Sequence, residues 1–151
     1  GMPLPMIPLK GDYSSKDMER TSRQFKIPYK VPSKFPISSQ APCRLIYWMQ
    51  TVAPEKQEEA ILKLYQAYFL EDLDISTPEV AAKVLSTVNG SEEELIALTQ
   101  DPAMKQRLKD ECNLAIEKGV FGSPFIIVDG EPFWGFDRLE QVREWLRTGG
   151  F

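Results

Sequence analysis

The chain contains no histidine, and that single absence removes His-dependent nucleophilic triads, the commonest general base and most catalytic zinc centres. Cysteine is nearly as scarce. Cys43 and Cys112 are the only two and lie far apart in the chain, so there is no C-x-x-C redox pair and no zinc-ligand spacing, and no metal site is expected. No apolar run approaches the roughly 18 residues of a membrane-spanning helix, and the N-terminal residues lack the charged-then-apolar order of a secretory signal. A cytoplasmic protein with no membrane partner is the expectation. Positive charge is not in excess either: 18 Lys and Arg against 22 Asp and Glu give a net charge of -4, which argues against a nucleic-acid partner.

What is present is enough to fold. At 151 residues and 42% hydrophobic content, the chain is long enough to bury on the order of 70% of its unfolded surface without a disulfide or metal staple. Residues 1–13 carry Pro3, Pro5 and Pro8 without periodicity and read as an extended arm. Residues 14–118 read as a helical module. Ser14 or Ser15 caps a helix to about Phe25; Ile27-Pro28, Val31-Pro32 and Phe35-Pro36 then hold an extended connector. Ser38 or Ser39 caps the next helix, with Pro42 near its start and Leu45, Ile46, Trp48 and Met49 on its apolar face. After Pro54, the spacing of Ile61, Leu64, Tyr65 and Tyr68 predicts one buried stripe. Thr77-Pro78, Ser91 with Glu94, and Asp101-Pro102 mark three further helix starts, and Gly119 is the C-cap of the last. Cys112 shares a helical face with Met104, Leu108 and Ala115, which predicts a buried structural thiol. Cys43 falls in a first helical turn, where the dipole favours a thiolate, although a structural thiol is the simpler reading.

Only in residues 119–151 does the period become strand-like. Phe125 to Val128 is a continuous apolar run, and Asp129-Gly130 is a strong hairpin signal leading into Pro132-Phe133-Trp134. Asp137 with Glu140 reads as a capping box for a final helix, whose Leu139, Val142, Trp145 and Leu146 are expected to face the core. Ser123-Pro124 admits two readings. A cis bond would turn the N–H and C=O of Ser123 toward a bound peptide, whereas an ordinary trans proline would simply open the strand.

Four segments together resemble the kappa-class glutathione transferases and the 2-hydroxychromene-2-carboxylate isomerases, within the DsbA-like thioredoxin group. They are G-V-F-G-S-P-F at 119–125, V-D-G-E-x-F-W-G-x-D-R-L at 128–139, L-K-G-x-Y with a later D-x-x-R at 9–20, and D-I-S-x-P-E-V at 74–80. The resemblance implies a mostly α protein with a small β-hairpin: a partial thioredoxin-like α/β fold with a helical insertion domain. It also implies glutathione as cosubstrate, with a cis Ser123-Pro124 whose Ser123 backbone pairs with the cysteinyl part. By the same resemblance Asp137 meets the γ-glutamyl group, Phe136 stands where the family has a small polar residue, and Lys10 meets a carboxylate. Asp137 as a plain N-cap and Lys10 as a solvated charge are the competing readings, and Phe133 and Trp134 read more simply as packing than as a substrate shelf.

The family's opening β-α-β unit, with its catalytic serine in a Ser-Pro-Tyr-like motif, is not in this sequence, so no catalytic residue is assigned. The implied activity is a glutathione-dependent isomerase or transferase acting on small aromatic or electrophilic compounds. A DsbA-like thiol-disulfide oxidoreductase and a non-catalytic truncated member of the family are the alternatives. An open-edged hairpin and the family's habit predict a homodimer or higher oligomer.

Overall fold

The computed structural model describes residues 4–151. After a short 3-10 turn at Leu4–Met6, six helices follow: α1 (Lys10–Phe25), α2 (Gln40–Val52), α3 (Gln57–Phe69), α4 (Pro78–Ser86), α5 (Glu92–Gln100) and α6 (Pro102–Glu117). The hairpin β1 (Phe125–Val128) and β2 (Glu131–Trp134) and the closing helix α7 (Leu139–Thr148) complete the chain. A mostly α protein with a small hairpin is therefore what the chain builds. It divides inside α6 into two compact units, one ending at Leu108 and the other running from Lys109 to Phe151.

The first unit is organised by α2 to α5. Leu45 and Met49 of α2, Leu64 of α3, Leu85 of α4 and Leu95 of α5 form one buried cluster with Ala53, Ala60, Ala67, Ala81 and Ala82. The alanines let helix backbones approach closely while the larger residues fill the space between them. On α3 the buried residues are Ala60, Leu64, Ala67 and Tyr68, so the stripe is rotated from the expected one: Ile61 is half-buried and Tyr65 exposed. Small residues against the core decided the orientation, which a reading weighted toward large apolar residues misses.

Three of the expected helix starts are made as the chemistry demands. Thr77 Oγ1 accepts from the Val80 N–H at 3.4 Å and Ser91 Oγ from the Glu94 N–H at 3.2 Å. Asp101 Oδ1 accepts from both Ala103 and Met104. Each satisfies first-turn donors that have no partner within the helix. At the other end of α6, Gly119 takes a positive φ of 75° and its N–H reaches the Ile116 carbonyl.

The start of α1 is different. Residues 10–13 are helical rather than extended, and Ser14 and Ser15 lie inside the helix. The preceding turn folds back instead, so that the Gly11 N–H donates to the Ile7 carbonyl at 2.8 Å, and a Cβ on Gly11 would lie 2.2 Å from the Pro5 carbonyl oxygen. Glycine at this position permits an approach that stands in for a side-chain cap. Residues 1–3 of the expected arm lie outside the described residues.

The proline-rich connector is bound down as a strap. The Lys30 N–H donates to the Phe69 carbonyl, the Tyr68 hydroxyl to the Lys34 carbonyl at 2.9 Å, and the Ser33 N–H to Asp72 Oδ1 at 2.7 Å. Lys30 and Lys34 pair with Asp72 and Asp74. Tyr29 and Phe35 pack their rings against Phe69 and Tyr68.

Candidate functional site

The second unit is built on the hairpin. Asp129 and Gly130 both take positive φ, 52° and 85°, the geometry that a two-residue turn between twisted antiparallel strands requires. The register pairs Phe125 with Trp134 and Ile126 with Phe133. One face therefore carries Phe125, Ile127, Pro132 and Trp134, and the other Ile126, Val128, Glu131 and Phe133. The second face is the one packed by α7. Phe133 is buried with its ring 5.8 Å from that of Trp145, whose Nε1 donates to Asp129 Oδ2.

On the first face lies the segment that leads into β1. The Phe121 ring meets Phe125 and Trp134 edge-on, with centroids 5.1 and 5.0 Å away. Gly122 sits so close to the indole that a Cβ there would lie 2.2 Å from Trp134 Nε1. Any side chain at position 122 would push the indole or the segment away. Together, Phe121 and Gly122 fix the approach of Ser123.

Ser123 and Pro124 are exposed, and the bond between them is cis. The Pro124 carbonyl accepts from the Gly135 N–H at 3.0 Å, which extends the hairpin ladder by one rung. Among the described residues neither the N–H nor the C=O of Ser123 takes part in a hydrogen bond. Gly135 has φ of 105°, and Asp137 Oδ1 would lie 2.4 Å from a Cβ built on it. The carboxylate of Asp137 thus rests at the end of the hairpin to which Pro124 is tied. It is 61% exposed and pairs with Arg138 at 3.8 Å.

The capping box predicted for Asp137 and Glu140 is not formed. A 3-10 turn at Phe136–Arg138 precedes α7, no side chain caps that helix, and Glu140 pairs with Arg143 instead. On α7 only Val142 is buried, while Leu139 and Leu146 are exposed, against expectation. The extra turn rotates the helix relative to the reading that began it at Asp137.

Four of the five residues singled out from the sequence, Ser123, Pro124, Phe136 and Asp137, are thus gathered at one end of the hairpin. Lys10 belongs to the first unit. It lines a groove of about 420 Å³ with Leu4, Leu9, Tyr13, Ser14 and Asp17. There Asp17 pairs with Arg20, which also donates to the Tyr13 hydroxyl at 3.1 Å. Sequence reasoning gave no role to Gly135, whose signal is its place directly after the strand and two residues before the acid.

Cys43 is half-buried and Cys112 exposed, and neither forms a disulfide, so the buried setting expected for Cys112 is not found. None of the residues of α6 is buried, which leaves its apolar positions without the core that the periodicity suggested. Among the described residues there is no group of three metal-binding side chains, and no helix is long and apolar enough to cross a membrane.

The hairpin is entered through a cis proline, closed by a helix and preceded by a helical segment, the arrangement that the resemblance implied. The chain belongs to the DSBA-like thioredoxin domain family, whose model matches residues 1–147. It is similar to glutathione S-transferase kappa 2 of Caenorhabditis elegans, at 28% identity over 97% of this chain and 70% of that protein. The 2-hydroxychromene-2-carboxylate isomerase of Sphingobium xenophagum is 24% identical over 86% of this chain and 65% of its own length. Human glutathione S-transferase kappa 1 is 26% identical over 95% and 69%. Among solved structures, a 2-hydroxychromene-2-carboxylate isomerase superposes with a TM-score of 0.85 at 21% identity, over 97% of this chain and 70% of that one. A putative protein disulfide isomerase from Nitrosomonas europaea gives 0.73 at 17% identity, over 99% and 80%. The resemblance read from the motifs holds, and these relatives carry the names of enzymes.

Proposed function

We propose that this protein is a glutathione-dependent isomerase or transferase acting on small aromatic or electrophilic compounds. The observation that carries the reading is the unpaired main chain of Ser123, with the exposed carboxylate of Asp137 at the same end of the hairpin. A residue that offers both N–H and C=O at the end of a strand pairs with an extended peptide as a further strand would. Glutathione is such a peptide, with an ammonium group that suits Asp137. A carboxylate released from capping loses nothing in the fold by accepting a charged donor from a ligand. Phe136 contributes only main-chain groups where the family has a small polar side chain.

Bound glutathione supplies the thiol nucleophile, which suits a chain without histidine or a cysteine pair. The chain's own residues orient the peptide. A cytoplasmic location, where glutathione sets the thiol poise, agrees with this reading. Calorimetry with glutathione tests it. Asp137→Asn is expected to weaken binding by about tenfold or more. Its thermal midpoint should stay at the wild-type value, because Asp137 caps no helix. Absence of glutathione binding, or affinity unchanged in the variant, would overturn the assignment.

We also propose that the protein self-associates as a dimer or higher oligomer. Support comes from the face of the hairpin opposite α7, where Trp134 is 55% exposed and Phe121 70%. Apolar area of this kind, on a sheet with open edges, is normally covered in solution. Light scattering should give at least twice the monomer mass, and a monodisperse monomer would refute it.

A further inference from the structure

A cavity of about 390 Å³ lies wholly within the first unit, between α2 and α3, and plays no part in the glutathione reading. Its floor is made by Leu64 and Ile75, both buried. Two tyrosine rings, Tyr47 and Tyr65, form part of its lining, and each is held by a neighbour. The Arg107 guanidinium lies 5.4 Å from the centroid of Tyr47, and Phe69 stacks on Tyr65 within 13° of parallel. The rings therefore do not need to be ordered when something enters.

Two polar side chains also face this space. Ser39 occupies the N-cap position of α2 yet makes no capping bond, and Gln57 begins α3. Among the described residues no hydrogen bond engages either side chain. A serine at this position usually turns its hydroxyl onto the first-turn N–H groups. Here the residue is exposed and lines the rim of the cavity instead. A half-open apolar cleft of this size, with flat aromatic lining and two polar side chains at its edge, has the make-up of a small-molecule site.

We propose that this cavity binds a small aromatic compound bearing one hydrogen-bonding substituent of the phenol type, its rings against Tyr47 and Tyr65 and its polar group toward Ser39 and Gln57. The aromatic lining favours a planar ligand over an aliphatic one, because ring pairs gain beyond the area they bury.

Cys43 lines the same cavity and gives a direct readout. In a Cys112→Ser background without glutathione, 1-naphthol is titrated by calorimetry and alkylation of Cys43 by iodoacetamide is followed. Binding is expected at one molecule per chain, and ligand at about ten times its Kd should slow alkylation about tenfold. Ile61→Trp, which fills the cavity, should abolish both effects. Gln57→Leu keeps the apolar volume and should weaken 1-naphthol while leaving naphthalene unchanged. No heat and no protection with 1-naphthol would overturn the proposal, as would binding that survives Ile61→Trp or ignores Gln57→Leu. Because glutathione is absent throughout, failure here is independent of the proposed glutathione site.

Discussion

The two units of this chain use apolar residues in opposite ways. In the first, Leu45, Met49, Leu85 and Leu95 are fully buried, and the alanines between them bring four helices into one core. In the second, Phe133 and Val142 alone are buried, while Phe121, Trp134, Phe136, Leu139, Leu146 and Phe151 remain exposed. The first unit therefore spends its hydrophobic residues on cohesion. The second spends its few close contacts on geometry: a glycine under an indole, a carbonyl tied to Gly135, and a serine whose main chain is left unpaired. Cohesion and presentation are separable, and the candidate site sits where cohesion is least.

The largest expected effect tests that division directly. Leu85 is 0% exposed, and Leu85→Ala should cost about 2–5 kcal/mol in urea unfolding through lost burial and the cavity left behind. Leu146 is 67% exposed, and Leu146→Ala should stay within about 0.5 kcal/mol. Similar losses from the two would break the comparison. An intermediate effect is expected at Gly122, where the added methyl of Gly122→Ala meets Trp134 Nε1. A cost of about 1–3 kcal/mol is the usual outcome of such overpacking. It should appear as a changed near-ultraviolet signal from Trp134 with the far-ultraviolet helix signal retained. An unchanged tryptophan signal would show that position 122 does not set the segment.

Much of this was legible in the sequence, and the reasons differ by element. Thr77, Ser91 and Asp101 announced their helices because a capping side chain acts over three residues, within the reach of local pattern. Asp129-Gly130 announced the hairpin for the same reason. The start of α1 was not legible, since its first-turn donors are satisfied by main-chain groups of residues 4–9, with Gly11 against Pro5. Nor was the exposure of Cys112 and Leu146, because periodicity shows that a helix has an apolar face without showing that anything covers it. The grouping of Ser123 with Asp137 came from motif resemblance. Its physical cause, the Pro124 to Gly135 bond, is visible only in three dimensions.

The smallest expected effect concerns the strap of residues 27–36, which belongs to the cohesive unit yet is held by exposed charge. The Ser33 N–H is the main cause that holds the Asp72 carboxyl below its ordinary value, with Lys30 adding to it, and Lys34 and then Ser76 do the same for Asp74. For a carboxylate whose folded value is depressed, stability is fully present above the unfolded value and is lost as pH falls through the folded one. The strap is therefore intact at neutral pH and loosens only on acidification below about 3.9, the unperturbed Asp value. The Ser33 amide, bonded to Asp72 Oδ1 at 2.7 Å, is the natural reporter. Its NMR resonance should titrate with a midpoint below that value, and Asp72→Asn should remove the titration. The core cluster does not include Asp72, so the global unfolding midpoint should change little across the same range if only the strap is released. Cooperative loss of the whole first unit together with the Ser33 signal would show instead that the strap is part of the core it covers.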